Sequence, residues 1–213
     1  MIKFGKKEHL ELLRDKGQMR FGLLTDFQAS TEKERGDKFE TAVNIVNGQF
    51  TKIECDHPVL GRHTFKIAVN TLGTITNFTN EPHYCFSSYA LTSDCFKDHD
   101  NHFIDNKMLE FGDHALVISE PIIFLDTVKN CLTGKKLKFG YKRTDYKNYK
   151  TEGDIDTDLF TKTDELDYQH EHRILIKKDS TNKEIFVEIG SIQDWCFLSR
   201  ADELIRTEFR HMG

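Results

Sequence analysis

Three polar positions, far apart along the chain, have side chains suited to binding charged groups. Arg20 lies in an alternating apolar segment, Ser87 and Ser88 end a second apolar segment, and Gln169 and Glu171 lead into a third. Residues two apart in an extended chain point to the same side, which places Gln169 and Glu171 together at the mouth of a sheet. An arginine binds anions through charge-assisted hydrogen bonds, and a carboxylate can stabilise a developing positive charge. We therefore treat these residues as one candidate site, carried by three predicted strands.

This order of residues resembles a known family. An arginine on one strand, a serine-containing segment on a second and a Gln-x-Glu pair on a third form the signature of the Arg-Ser-Glu class of mono-ADP-ribosyltransferases. The chain also resembles a broad bacterial domain family found among abortive-infection and toxin-like proteins. The matching segments are Met19-Arg20-Phe21, Asp37-Lys38-Phe39-Glu40, Cys85-Phe86-Ser87 and Glu171-His172-Arg173. The middle segment departs from the class pattern, because it reads Phe-Ser-Ser rather than Ser-Thr-Ser.

The resemblance implies NAD as the substrate and gives each residue a role. Cleavage of the nicotinamide–ribose bond passes through an oxocarbenium-like transition state, as glycoside hydrolysis does. Glu171 would accept a hydrogen bond from a ribose hydroxyl and stabilise that positive charge. Arg20, Ser87 and Ser88 would bind NAD, with Arg20 on the pyrophosphate and Ser87 orienting Glu171. Gln169, the second candidate catalytic residue, would position the accepting nucleophile.

The resemblance also implies an acceptor class and a biological setting. A glutamine at position 169 accompanies amide or nucleobase acceptors, and its amide can both donate to and accept from a base edge. The implied function is an NAD-dependent mono-ADP-ribosyltransferase, acting as a toxin or anti-phage effector on a nucleobase of RNA or DNA or on a protein side chain. An antitoxin or immunity protein would be a further partner. The implied domain is ADP-ribosyltransferase-like and covers residues 1–213.

A basic stretch offers a contact surface if the acceptor is a nucleic acid. Residues 135–143 interleave cations with aromatic side chains, a combination used for phosphate contacts and base stacking. The candidate contact residues are Lys136, Lys138, Lys142 and Arg143. The alternative is a strand with a solvated lysine face. Because the chain carries a net charge of −5, recognition of a nucleic acid would be local rather than spread over the surface.

Each site residue also has a simpler interpretation. Arg20 could be the exposed side of an edge strand, and the two serines could be ordinary polar residues on a strand face. Glu171 and Arg173 could form a cross-strand ion pair, a contact of about 0–1 kcal/mol at a surface. The order of the three segments along the chain, rather than any single residue, favours the functional interpretation.

Two other functions remain open for the whole chain. One is a catalytically inert interaction module of the same fold. The other is a metal-dependent nuclease that uses residues 98–102, a segment with both oxygen and nitrogen ligand types. That segment lacks the H-E-x-x-H spacing, so a solvated loop is favoured and no metal is expected. The chain contains no Walker loop, G-x-G-x-x-G or G-x-S-x-G motif, which disfavours kinases, P-loop NTPases, Rossmann dehydrogenases and α/β-hydrolases.

Strands predominate among the elements that must position these residues. Residues 7–16 predict an amphipathic helix that Gly17 ends, and residues 18–24 alternate as a half-buried strand does. Further strands are predicted over residues 49–54, 64–69, 74–78, 83–88, 114–119, 137–141, 172–177 and 185–189, and helices over 128–132 and 201–210. Residues 145–167 are acidic and predict an excursion from the core. The predicted fold is α+β, with a short N-terminal helix, few other helices and a mainly antiparallel sheet, whole or split.

Composition agrees with a globular protein. The 213 residues are 38% hydrophobic and include 17 Phe but only 3 Pro, which suits one domain with an aromatic core. Apolar runs are far shorter than the roughly 20 residues that span a bilayer, and the N-terminus lacks the apolar region of a secretory signal. We therefore expect a soluble, cytoplasmic protein with no membrane partner. The five cysteines include no C-x-x-C pair, and we expect reduced, mostly buried thiols.

Overall fold

Alternating apolar segments fold into strands through most of the chain. The computed structural model describes residues 1–30, 36–49, 52–59, 61–66, 72–97, 100–180 and 182–210. Its α-helices are α1 (Lys7–Lys16), α2 (Leu24–Ala29), α3 (Pro121–Gly134) and α4 (Ala201–Leu204). Its strands are β1 (Ile2–Gly5), β2 (Gln18–Leu23), β3 (Ala42–Gln49), β4 (Lys52–His57), β5 (Gly61–Lys66), β6 (Leu72–Phe78), β7 (His83–Tyr89), β8 (Asn101–His102), β9 (His114–Ile118), β10 (Lys138–Arg143), β11 (Asp145–Lys147), β12 (Gly153–Asp156), β13 (Thr161–Thr163), β14 (Glu171–Lys177), β15 (Glu184–Glu188), β16 (Cys196–Arg200) and β17 (Phe209–Arg210).

The fold is mixed α+β with mostly antiparallel sheets and few helices, as predicted. An eight-stranded sheet follows the order β10-β14-β7-β1-β9-β16, and β2 joins it by pairing with β7 on one side and β15 on the other. The strands β2, β7 and β14, which carry the candidate residues, are therefore neighbours. Smaller sheets are formed by β12-β3-β6, β11-β13, β17-β8 and β4-β5. Among the described pairings, only β11 with β13 is parallel.

The main core lies between this sheet and the helices α1 and α3. Apolar side chains of both helices pack on alternate residues of β2, β7 and β14. These core residues are Leu10, Leu13, Met19, Phe21, Tyr84, Phe86, Phe124, Val128, Leu132, Ile174 and Ile176. Burying a phenylalanine side chain of this kind contributes about 1.5–3 kcal/mol. Since apolar residues alternate along β14, its remaining residues face away from this core, and the site is built there.

Helix α1 has the bounds that the sequence predicts. Gly17 ends it with φ 63°, in the left-handed region that side chains with a Cβ disfavour. A Cβ at this position would lie 1.9 Å from the carbonyl oxygen of Gly190, so no other residue fits without moving the backbone. The chain therefore turns sharply from α1 into β2, the strand that carries Arg20.

Several elements differ from their predicted bounds. The helix predicted over residues 128–132 begins at Pro121, because proline suits the first turn of a helix and the apolar residues 122–125 continue it. The helix predicted over 201–210 ends at Leu204, and Phe209–Arg210 pairs with β8 instead. The sequence does not predict strands β1, β3, β8, β11, β12, β13, β16 and β17. The predicted strands over 49–54 and 64–69 fall partly outside the described residues, at positions 50, 51 and 67–69.

Neither a membrane-spanning helix nor a disulfide is present in the described part of the chain. No helix there has the length and apolar character needed to cross a bilayer. Cys85, Cys95, Cys131 and Cys196 are free thiols, of which Cys85 is buried and the other three are half-buried. The thiols are thus reduced, as expected, but less buried than the sequence suggests.

Candidate functional site

Four of the predicted residues line one cavity of about 470 Å³. These residues are Arg20, Ser87, Gln169 and Glu171. The volume lies within the range of about 300–1,000 Å³ that is usual for small-molecule sites. Ser88 lies elsewhere: it is buried opposite His172, and its hydroxyl is 3.5 Å from the His172 carbonyl oxygen. The structure therefore brings together three of the segments that the sequence predicts, but not both serines.

Arg173, on the same face of β14 as Glu171, is the most extensively paired residue of the site. Its side chain is 1% exposed. Its Nη2 lies 2.7 Å from Glu40 Oε1, its Nη1 donates to the Leu159 carbonyl oxygen at 2.7 Å, and its Nε lies 3.3 Å from Glu171 Oε2. The interpretation of Glu171 and Arg173 as a cross-strand surface pair is therefore wrong, because the pair lies within one strand and is buried.

Lys162 is a residue that sequence reasoning missed. It comes from β13, within the acidic excursion, and its side chain is 7% exposed. Its Nζ lies 3.0 Å from Glu171 Oε2 and donates to Gln169 Oε1 at 2.8 Å. A single lysine between two threonines carries no signal in the sequence. Only the folded excursion brings it to the start of β14.

Gln169 reaches Glu171 by a different route from the predicted one. It ends a 3₁₀-helix (Asp164–Gln169), and His170 follows with φ 39°, in the left-handed region. The strand begins only at Glu171, so an alternating pleat does not align the two side chains. Lys162 links them instead. The Gln169 amide nitrogen donates to the Tyr168 hydroxyl at 3.2 Å, so both ends of this amide are engaged.

Glu40 completes the buried network. It belongs to the Asp37-Lys38-Phe39-Glu40 segment, which the resemblance includes without giving it a role. Asp37 Oδ1 accepts from the Phe39 backbone N–H at 2.9 Å and shapes this turn. Burial raises the pKa of Glu40, and the charge of Arg173 opposes that rise. We call Glu40, Lys162, Gln169, Glu171 and Arg173 the buried polar network.

Glu171 is the most chemically distinctive group in the cavity. Burial by itself would raise its pKa, but Arg173 and Lys162 outweigh this effect and, with a hydrogen bond from Ser87, lower the pKa to about 2. The carboxyl group is therefore ionised at neutral pH. Its Oε2 is buried between two cations, with Lys162 Nζ at 3.0 Å and Arg173 Nε at 3.3 Å. The Glu171 side chain is 10% exposed and lines the cavity, so a ligand hydroxyl can reach the exposed part of the carboxylate.

The rest of the cavity favours an anion with apolar rings. Its lining contains five cationic and two carboxylate side chains, an excess of three positive charges on a chain of net charge −5. Several aromatic residues also line it, namely Phe4, Phe27, Phe86 and Phe111. Arg20 is 55% exposed and forms an ion pair with Glu184 on the neighbouring strand β15. Such a surface pair is weak, so Arg20 can exchange it for an anionic ligand.

A larger cavity of about 700 Å³ lies next to the buried network but has a different character. It shares Asp37 with the Asp37–Glu40 turn, and none of Arg20, Ser87, Gln169 or Glu171 lines it. Its charged lining has four acidic and two basic side chains, which disfavours an anionic ligand. Volume alone therefore does not identify the site.

The predicted nucleic-acid contact residues lie outside the cavity. Lys138, Lys142 and Arg143 are exposed on β10, an edge strand of the sheet, and Lys136 is exposed just before it. Lys142 Nζ lies 3.1 Å from Asp145 Oδ2 and 3.2 Å from Asp158 Oδ2, and Arg143 pairs with Asp94. Part of the predicted positive charge is thus neutralised.

The aromatic residues of this basic strand have separate roles. Phe139 packs against the main core, whereas Tyr141 is 40% exposed. The two rings lie nearly parallel, with centroids 6.5 Å apart. Tyr141 is therefore the ring in this segment that a nucleobase could reach.

The histidine-rich segment over residues 98–102 is described only in part. Asp98 and His99 lie outside the described residues. Asn101 and His102 form β8, and the His102 ring is half-buried rather than solvated.

Replacing Arg173 by methionine tests whether the buried polar network is structural. The variant leaves Glu40 and Glu171 buried without their shared cation, and removal of one partner of a buried pair destabilises a protein by about 3–5 kcal/mol. We expect a loss of this size in the free energy of unfolding, measured by urea denaturation. Lys150→Met, which removes the exposed pair with Glu165, is the control and should leave the midpoint unchanged. Equal midpoints for the two variants would contradict the account.

The comparisons with protein-family models, with curated proteins and with solved structures find no match for the chain. The function must therefore be argued from the cavity and its residues.

Proposed function

We propose that the cavity binds NAD and that the chain is a mono-ADP-ribosyltransferase with an ADP-ribosyltransferase-like fold, acting as a toxin or anti-phage effector. One observation carries the proposal: a carboxylate that two buried cations keep ionised lines a cationic, aromatic-lined cavity. The Arg, Ser and Gln-x-Glu residues of the resemblance meet around it. The toxin or effector role is supported by the resemblance alone.

The cavity suits the parts of NAD. A pyrophosphate carries negative charge, which the excess of cations favours, and Arg20 can offer two parallel donors to phosphate oxygens. The nicotinamide and adenine rings can pack against the phenylalanines. The cavity volume of about 470 Å³ is adequate for a small molecule of this class, the more so because Arg20 lies at an exposed rim.

Glu171 would act on the bond that breaks. As the nicotinamide–ribose bond lengthens, its electron pair goes to the nicotinamide nitrogen and positive charge grows on the ribose. The Glu171 carboxylate would accept a hydrogen bond from a ribose hydroxyl and stabilise that charge. A nucleophile on the acceptor then forms the new bond to the ribose carbon and releases a proton. Nicotinamide leaves uncharged, so the step balances.

The other members of the buried polar network act as positioning residues in this scheme. Lys162 and Arg173 keep Glu171 ionised and fix its orientation. Arg173 also pairs with Glu40, and the negative charge of Glu40 offsets the positive charge of Arg173, which would otherwise disfavour the ribose cation. Gln169 is engaged by Lys162 and Tyr168, and it would position an acceptor only by exchanging one of these bonds.

Glu171→Gln tests the chemical role of the carboxylate. The substitution keeps the shape but removes the negative charge, and loss of one such stabilising group lowers turnover by about 10²–10³-fold. We expect a fall of at least about 100-fold in nicotinamide release from NAD, and loss of labelled ADP-ribose transfer to components of a lysate. NAD binding, followed by calorimetry, should persist and shows that the variant is folded. Glu188→Gln, at an exposed position on β15, is the matched control.

Three outcomes of that experiment would count against the proposal. Equal activity of the Glu171 and Glu188 variants would remove the role of Glu171. NAD binding without nicotinamide release by the unmodified chain would indicate an inert module of the same fold. Cleavage of nucleic acid that requires a divalent metal but not NAD would indicate the nuclease alternative.

The basic strand β10 is the proposed contact surface for a nucleic acid acceptor. Lys136 and Lys138 are exposed, and no ion pair engages either of them among the described residues. Tyr141 offers an exposed ring beside them. Treating the labelled products separately with protease and with nuclease identifies the acceptor. If the acceptor is a protein side chain, protease releases the label and nuclease does not.

Neutralising Lys136, Lys138 and Lys142 to glutamine tests this surface. Each phosphate contact to a single strand contributes about 0.7 to the slope of log K against log salt. We expect the slope for single-stranded RNA or DNA to fall by about 2, with weaker binding at low salt. Lys7, Lys16 and Lys150, which are exposed elsewhere, provide a triple variant of equal charge change. Binding that is the same in both variants would exclude β10 as the contact surface.

A further inference from the structure

A second cluster of reactive side chains includes His170, the residue between Gln169 and Glu171 of the buried polar network. Cys95 comes from a 3₁₀-helix (Ser93–Phe96), His102 from β8, and His170 from the turn before β14. One sulfur and two ring nitrogens from these residues all lie within 4.8 Å of one another. Three elements separated by up to 75 positions therefore converge on one point.

The distances suit a tetrahedral metal ion with sulfur and nitrogen ligands. Zinc binds a cysteine sulfur at about 2.3 Å and a histidine nitrogen at about 2.0–2.1 Å, so a tetrahedral angle places these two atoms about 3.6 Å apart. Cys95 Sγ lies 3.6 Å from His170 Nδ1. The His102 nitrogen lies within 4.8 Å of the other two ligand atoms, so it needs to move by at most roughly 1.5 Å to complete the same geometry.

The surroundings hold the two imidazoles in place. The Tyr89 hydroxyl lies 2.6 Å from His102 Nε2, and the Tyr89 ring lies against His170 with centroids 5.3 Å apart. Phe96 packs edge-on against His102. Outer contacts of this kind orient metal ligands and exclude water from them. Burial lowers the pKa of both histidines, which favours the neutral form that binds metals.

The backbone conformation of His170 is a second indication that these three side chains form a binding site. His170 has φ 39°, and Lys136 is the only other described non-glycine residue with a positive φ. A left-handed conformation is unfavourable for a residue with a Cβ. Here it aims the ring at Cys95 and His102 while Glu171, the next residue, begins β14.

We propose that Cys95, His102 and His170 form a zinc site that holds the 3₁₀-helix Ser93–Phe96 and β8 against the start of β14. The Cys95 thiol loses its proton to solvent on binding, the two neutral imidazoles contribute nitrogen ligands, and no electron is transferred. A water molecule takes the fourth position. The sequence suggests metal ligands only at residues 98–102, which include His102; Cys95 and His170 lie outside that segment and form no recognised motif with it.

Zinc binding by the full chain tests the proposal. After treatment with a chelator and dialysis against zinc, we expect one bound equivalent by mass spectrometric metal analysis. Cys95→Ser and His170→Gln should each weaken zinc binding by at least about tenfold, since even outer contacts are worth that much. Cys131→Ser is the control, because this thiol donates to the Glu188 carbonyl oxygen away from the cluster, and it should bind zinc as the unmodified chain does.

Cobalt provides a readout that does not depend on the stability of the variants. Co²⁺ bound by the unmodified chain should show a thiolate-to-cobalt charge-transfer band, and zinc should displace it. Zinc should also raise the thermal midpoint of the unmodified chain, because a ligand that binds only the folded state stabilises it. The proposal is overturned if the chain binds no stoichiometric zinc, if the cobalt complex lacks a thiolate band, or if Cys95→Ser and Cys131→Ser bind zinc equally.

Discussion

The arrangement of the site depends on the pairing of Arg173 with two carboxylates in the interior. A buried guanidinium is expensive to desolvate and is tolerated only when its charge and its donors are satisfied. Glu40 and Glu171 balance the charge of Arg173, and its two terminal nitrogens reach Glu40 and the Leu159 carbonyl oxygen; among the described residues, Nε has an ion-pair contact with Glu171 but no aligned acceptor. These partners come from a turn before β3, from the same strand and from the segment before β13. One side chain thereby fixes three separate parts of the chain around the start of β14.

The same pairing explains the chemical state of Glu171. A carboxyl group buried alone would be neutral, whereas here the flanking cations keep it charged. Because Arg173 is divided between Glu40 and Glu171, and Lys162 between Glu171 and Gln169, no single partner satisfies Glu171 completely. This ionised carboxylate at the wall of a cationic cavity is the feature on which the proposed NAD chemistry rests. Structure and chemistry thus depend on one set of contacts.

Local sequence patterns predict the strands that carry the site, but they do not predict which distant segments contact one another. Alternation predicts β2, short apolar segments predict β7 and β14, and Gly17 predicts the end of α1, because each of these signals is contained in a few neighbouring residues. The sequence pattern places Gln169 in an extended strand. It cannot predict the left-handed backbone of His170, because only glycine signals that conformation in a sequence. No local pattern marks Lys162 or Glu40, and both belong to the site only because their segments fold against β14. For the same reason Cys95, His102 and His170, each unremarkable alone, form a cluster only in three dimensions.

The central claim is that the Glu171 carboxylate accepts a hydrogen bond from a ribose hydroxyl of NAD. The most direct test is a crystal structure of the chain with a carbocyclic NAD analogue that cannot be cleaved. The account predicts the analogue in the 470 Å³ cavity, with a ribose hydroxyl about 2.5–3.0 Å from a carboxylate oxygen of Glu171 and the pyrophosphate on Arg20. An analogue bound elsewhere, or one whose ribose makes no contact with Glu171, would contradict it.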